Sequence, residues 1–278
     1  MAIKITSDST CDLSPELLAR YDITLTPLYI TQDGKTCRDG IDIHPEDIFA
    51  HVSAGGSLPT TSAVNIADYQ EVFSRYAGEY DAVIHFNIGQ EFSACHQNAC
   101  IAAADYDNVY VIDSRNLTVG QGILVLEAAE AAARGEAAPD IVSGIQALIP
   151  KVDTTFIPNS LDYLAKGGRC SSVVALGANL LKLKPCIVLA DGKMSVGKKY
   201  RGVFDKILPD YIRDQLDGKD FRTDRCIIVS AAVQPDTLAA VRAAVAQYGF
   251  GEILEARAGC TISSHCGPNT LGFIFVHR

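Results

Sequence analysis

The chain has 278 residues, of which 48% are hydrophobic and 21% charged, and carries a formal net charge of -9. That is enough material for one large domain or two modest ones around an apolar core. An acidic balance without a basic run excludes sequence-neutral binding to nucleic acid or anionic lipid, which needs the opposite charge. The opening MAIKITSDSTCDL has no long apolar stretch and no small-residue cleavage site, so no secretory signal is expected. No window reaches the length of a transmembrane helix; VVALGANLLKL is the stretch apolar enough to check. Nine cysteines form no C-x-x-C pair, and the nearest spacings, Cys95 to Cys100 and Cys260 to Cys266, match no common zinc site. Reduced thiols in a cytoplasm are expected, not a disulfide framework.

In chain order, AIKIT opens an apolar alternation and is read as a strand. Ser14-Pro15 caps a short helix through Tyr21, and ITLTPLYI returns as a strand. Asp33-Gly34, between YITQ and KTC, signals a hairpin turn. HPEDIFAHV, with Pro45, Glu46 and Asp47 at its start, begins a helix. LPTTSAVN is a polar break before the helical spacing of ADYQEVFSRYA. Then come the strand DAVIHFNI, the Ala-rich helix SACHQNACIAAADY, the strand VYVIDS and the long helix VGQGILVLEAAEAAARG, which ends at Gly135. Repeated strand–helix pairs of this kind predict a parallel sheet covered by helices.

AAPD, residues 137–140, starts a linker helix, and PKVDTTFIPN leads into a different pattern. KPCIVLADGKMSVGKKY places two apolar arms around Asp191-Gly192, an antiparallel ribbon. FDKILPDYIRDQL and PDTLAAVRAAVAQYG are amphipathic helices around the strand CIIVSAAV, and EILEARAG with LGFIFV completes a mixed sheet. The expectation is an α/β protein of two domains: residues 1–152 with a parallel sheet, and a smaller α/β part, 153–278, with a mixed sheet. The boundary is allowed to be discontinuous, because the hairpin at Asp33 has no obvious place in a parallel sheet.

Several catalytic motifs are absent: no G-x-S-x-G, no G-x-G-x-x-G and no H-E-x-x-H. GKMSVGKK at 192–199 imitates a P-loop, but Lys199 stands where a magnesium-binding hydroxyl belongs and a hairpin turn precedes it. Four small polar clusters remain: LPTTSAV (58–64), IGQEFSACHQNA (88–99), LAKGGRCSS (164–172) and SSHCGPN (263–269). Thr61 and Ser62 precede one helix and Ser93 opens another, so each hydroxyl has helix capping as its ordinary explanation. Hydroxyls and free amides at a helix start also make an anion site. Arg169 follows the sharp turn of Gly167-Gly168, where a solvated surface charge is the common case. His265, before the strand LGFIFV, is by itself most simply a hydrogen-bonded loop residue.

Taken together and in order, these segments resemble the DegV family, the group that includes the FakB fatty-acid-binding subunits of bacterial fatty acid kinase. The matching stretches are ITSDSTCDL, LPTTSAVNIADYQEVF, VIDSRNLTVGQG, LDYLAKGGRCSSVVALGANLLKLKPCIVLADGKM and SHCGPNTLGFIF. The resemblance implies a DegV-like fold of two α/β domains with a long-chain fatty acid in an apolar tunnel and no other cofactor or metal. By carry-over, Thr61, Ser62 and Ser93 bind the lipid carboxylate, with Arg169 and His265 serving phosphoryl transfer. It implies a cytoplasmic lipid-presenting subunit more than an enzyme in its own right. A separate ATP-binding kinase subunit is the partner, and an acyltransferase or membrane surface is met only transiently. One departure stands out. The family's Ser-Ser-Gly-Leu-Ser-Gly-Thr-Tyr-Gln segment reads GQEFSACHQ here, residues 89–97, so Ser93 falls on the later serine while Gly89, Gln90 and Glu91 replace the earlier residues. Glu91 would repel an anionic headgroup unless it points to solvent. The competing reading is a small stand-alone hydrolase or transferase using Ser93 with His265; a third is a lipid-binding regulator without a kinase.

Overall fold

A computed structural model describes residues 2–174 and 183–278 of the chain. The first elements are β1 (Ile3–Asp8), α1 (Pro15–Arg20), β2 (Thr24–Thr26), β3 (Tyr29–Gln32), β4 (Lys35–Arg38), α2 (Pro45–Ser53) and β5 (Thr60–Ser62). They continue as α3 (Ile66–Ala77), β6 (Ala82–Asn87), α4 (Cys95–Ala103), β7 (Val109–Asp113), α5 (Val119–Ala133) and α6 (Ala138–Leu148). After these come β8 (Val152–Pro158), α7 (Asp162–Gly167), α8 (Ser171–Val174), β9 (Leu183–Ala190) and β10 (Lys193–Arg201). The last are α9 (Phe204–Leu216), β11 (Arg225–Ala231), α10 (Pro235–Ala246), β12 (Glu252–Arg257), α11 (Cys260–Cys266) and β13 (Thr270–Val276).

The α/β class expected from the sequence is present, with its two kinds of sheet. A parallel sheet has the order β2-β1-β6-β7, and a six-stranded mixed sheet the order β10-β9-β8-β13-β11-β12. In the mixed sheet only β11 and β12 run parallel; its other pairings are antiparallel. The near-continuous burial of β1 and β6 is what a parallel sheet covered on both faces requires. Tyr69 and Phe73 of α3 and Ala99 and Ala102 of α4 form one apolar cluster, while α5 and α6 belong to another.

Helix α5 joins the two sheets. Its sequence is apolar on nearly every side, and the cluster that contains Ile123 and Leu126 also takes in Ile84 of β6 and Ile227, Val229 and Ile274 of the mixed sheet. A helix hydrophobic all round is a buried one. Gly122 lets α5 approach the loop after β1, since a Cβ there would lie 2.5 Å from the Cys11 carbonyl oxygen.

The hairpin at Asp33-Gly34 belongs to neither large sheet. Asp33 (φ 49°) and Gly34 (φ 77°) make the left-handed two-residue turn that the hairpin needs, and β4-β3-β5 form a third, antiparallel sheet. ITLTPLYI is therefore two short strands in different sheets, broken where Pro27 cannot donate to a ladder. The segment LPTTSAVN contains strand β5, not merely a polar break. All nine cysteines are free thiols, and Cys100 alone is exposed. Most of VVALGANLLKL, residues 175–182, lies outside the described residues. Among the described residues no helix is long and apolar enough to cross a membrane.

Candidate functional site

A cavity of about 260 Å³ lies beyond the carboxyl ends of the parallel strands. Leu28 after β2, Ile88 after β6 and Leu117 after β7 form one side of it, and Phe156, Leu164 and Met194 of the later half form another. Open α/β sheets place ligands at this end of their strands. The wall is largely apolar. A small space of about 30 Å³ shares Leu117, Phe156, Ile262 and Cys266 with the main cavity and runs on towards the mixed sheet. Thr118, Thr154, Thr155 and Thr270 line this inner space, but their hydroxyls are engaged by Asp12, Asn116, Tyr211 and the Cys266 carbonyl.

All five residues singled out in the sequence line the main cavity: Thr61, Ser62, Ser93, Arg169 and His265. Thr61 stands on β5, paired with Ile30, and is not a helix cap; Asn65 caps α3 instead. His265 is not in a loop before the last strand but in the final turn of helix α11. Thr61 Oγ1 and His265 Nε2 are hydrogen-bonded at 2.9 Å across 204 residues of sequence. His265 Nδ1 is buried without a partner and faces Gly167 at the end of α7. Arg169 donates from Nη1 to the Gly167 carbonyl at 2.8 Å, with Gly168 (φ 67°) making the turn between them. Burial, then the nearby Arg169 charge, push the His265 imidazole down to about 4, so at neutral pH it is uncharged.

Ser93 has a local role as well. Its hydroxyl accepts from the Cys95 N–H at 3.3 Å and donates to Cys95 Sγ at 3.1 Å, as a residue at a helix start does. It has no hydrogen bond with His265, so the nucleophile–base pair of a stand-alone hydrolase is not assembled here. Glu91 is exposed, stands 4.0 Å from Lys193 and does not line the cavity. The substituted segment turns on backbone instead: Gly89 N–H donates to Asn116 O, and the Gln90 N–H to Asp113. Phe92 of that segment lines the cavity, as does Ile262 of α11. Neither was visible in the sequence, since one lies in a polar run and the other in a helix without apolar periodicity.

Two sheets clasped on a common helix, with a largely apolar cavity whose polar groups are hydroxyls, a thiol, one neutral imidazole and one guanidinium, define an α/β protein with an apolar pocket that carries a few polar groups. The family is then fixed by comparison. A family model described as "Uncharacterised protein, DegV family" matches residues 2–278, and the chain belongs to that family. A DegV domain-containing protein of Caldanaerobacter subterraneus is 34% identical over 281 residues, 99% of each chain. A DegV family protein from Thermus thermophilus, solved as a fatty-acid-binding protein, superposes with a TM-score of 0.91 at 30% identity, covering 100% of both chains. A stearic-acid-binding protein from Eubacterium ventriosum superposes at 0.84 with 28% identity over 98% of each chain.

Proposed function

We propose that this protein binds a long-chain fatty acid and presents its carboxylate to a separate, ATP-bearing kinase subunit, which converts it to an acyl phosphate. The observation that carries this reading is the convergence of Thr61, Ser62, Ser93, Arg169 and His265, from four distant segments, on one largely apolar cavity. The fatty-acid-binding relatives of the same fold support it. The acyl chain supplies the affinity, at about 0.8 kcal/mol per buried CH₂ and on the order of ten kcal/mol for a long chain. The hydroxyls of Thr61, Ser62 and Ser93 hold the headgroup.

In the transfer, an ionised carboxylate oxygen attacks the terminal phosphorus of ATP; the new O–P bond forms as the bond to the ADP oxygen breaks. The nucleophile is already deprotonated, so no general base is required. Arg169 meets the growing negative charge and helps align the phosphoryl group. His265, neutral and bonded to Thr61, orients that hydroxyl by a hydrogen bond and adds no charge. The proposed setting is the cytoplasm, where ATP and reduced thiols coexist.

Native mass spectrometry of the purified protein, followed by organic extraction, tests the lipid half of the reading. A long-chain acid should be released; repeated recovery of none refutes it. Incubation of the loaded protein with ATP and a kinase subunit tests the other half, through acyl phosphate trapped as its hydroxamate. Ester turnover by the chain alone, abolished in Ser93→Ala, would instead favour the hydrolase.

A further inference from the structure

Helix α11 supplies Thr261, Ile262, His265 and Cys266 to the cavity, yet its own sequence does nothing to fix its start. The position before it is Gly259, which offers no side-chain cap, and Cys260 and Thr261 are buried away from water. Their backbone N–H groups therefore need protein partners, because an unpaired buried amide is costly. Those partners come from the opposite end of the chain. Asp39 accepts from the N–H groups of Cys260 (2.9 Å) and Thr261 (3.2 Å) and from the Thr261 hydroxyl (2.7 Å). Asp12 accepts from the Gly259 N–H at 2.9 Å and, on its other oxygen, from Thr118 at 2.6 Å. The Cys260 thiol adds a contact to the Ile43 carbonyl, in the same turn that carries Asp39.

We infer that Asp39 and Asp12 are positioning residues for the site. They hold the start of α11 against the β4–α2 turn and the loop after β1, and through the helix they set where His265 meets Thr61 and where Ile262 and Cys266 close the cavity. Neither carboxylate lines the main cavity, so neither touches the ligand. The assignment of function to α11 rests on the lipid reading, but its geometric core does not.

The test is Asp39→Asn, which keeps the size of the side chain but replaces one accepting oxygen with a donor facing other donors. Two readouts are followed on folded protein: the imidazole titration of His265 by NMR, and release of a bound fluorescent fatty acid. A shift of His265 upward from about 4 by about one unit or more is expected as the ring loses its buried seat. Release should quicken about tenfold or more, since a loosened wall acts on the off-rate. Should Asp39→Asn fail to fold, Ser9→Ala removes one outer donor to Asp39, at 3.0 Å, and makes no change in α11 itself. Because Ser9 Oγ also accepts from the N–H of cavity-lining Leu28 at 3.1 Å, the His265 titration is the deciding readout for this variant. Ser9→Ala should move both readouts in the same direction by a smaller amount. A folded Asp39→Asn protein in which His265 titrates as in the wild type overturns the inference. A wild-type protein that takes up no fatty acid overturns the lipid reading instead, and the titration still decides the positioning.

Discussion

Gly167→Ala isolates the contribution of His265 without touching the histidine. Gly167 ends α7 with ordinary helical backbone, so alanine meets no conformational penalty there. A Cβ at that position would, however, sit well inside contact distance of His265 Nδ1, and 3.3 and 3.4 Å from its Cε1 and Cγ. The obstacle is the body of a ring held between two helices, so the imidazole must leave its place and its bond to Thr61. The stability terms nearly cancel. Alanine gains at most about 0.5–1 kcal/mol over glycine in a helix, and the lost hydrogen bond costs about 0.5–1.5 kcal/mol. Because Nδ1 has no partner to lose, no second hydrogen bond is added to that cost. The melting temperature should therefore move by no more than about 2–4 °C for a chain of this size. The imidazole should respond far more: a ring pushed towards water should titrate well above its wild-type value of about 4, approaching the ordinary value of about 6.5. NMR titration of the six histidines measures this, and phosphoryl transfer with a kinase subunit should fall as it does in His265→Ala. A Gly167→Ala protein with an unmoved His265 titration would refute the geometry on which the reasoning stands.

Ser93→Ala should weaken fatty acid binding about tenfold, the loss of one hydrogen bond to a charged group. If a displacement titration shows unchanged affinity with only a cap-sized drop in stability of about 0.5–2 kcal/mol, the hydroxyl merely starts α4. Arg169→Ala should retain bound lipid by native mass spectrometry yet lose acyl phosphate formation, since further negative charge arrives only in the transition state. His265→Ala should also retain lipid, held by its tail, and lose transfer because the Thr61 hydroxyl that aligns the carboxylate is no longer oriented. Glu91→Gln should leave lipid affinity unchanged within about twofold, because an exposed carboxylate outside the cavity is screened by water. The His265 contribution to stability should be complete above about pH 6.5, the unfolded value, and be lost as pH falls towards the folded value of about 4. Wild type should thus lose about 3 kcal/mol relative to His265→Gln over that window, read from urea unfolding at each pH.

Much of the fold was legible because local pattern and tertiary structure agree. The alternation of strands and helices before residue 114, the Asp33-Gly34 turn and the largely apolar α5 each carry their structural reason within a few residues. The failures share one cause. Helix α11 reads CTISSHC, with small and polar residues and no periodicity, and it is held by carboxylates 221 and 247 residues away. Strand β5 is three residues long and exists through its pairing with β3. The meeting of Thr61 with His265 depends on both of these elements, so no window of sequence could contain it. The five polar residues were named through family resemblance, and spacing alone would have left each as a cap, a surface charge or a loop residue.

The electrostatics of the cavity bear on how a carrier can both hold and surrender its ligand. Among the described residues lining it, Arg169 is the one permanent cation, and no carboxylate stands there. Burial keeps His265 uncharged near neutrality, and Arg169 itself contributes to that suppression. The exposed guanidinium is tied to the Gly167 carbonyl at the rim, not sunk against the hydroxyls. On the proposed reading, a fatty acid is therefore held mainly by its tail, through non-directional burial, while its carboxylate is met by neutral donors. A fully buried ion pair would bind the headgroup more rigidly, and breaking it to hand over the carboxylate would leave a charge stranded. Neutral hydroxyls avoid that penalty. They leave the carboxylate oxygens nucleophilic and reserve the single cation for the charge that develops as the phosphoryl group is transferred.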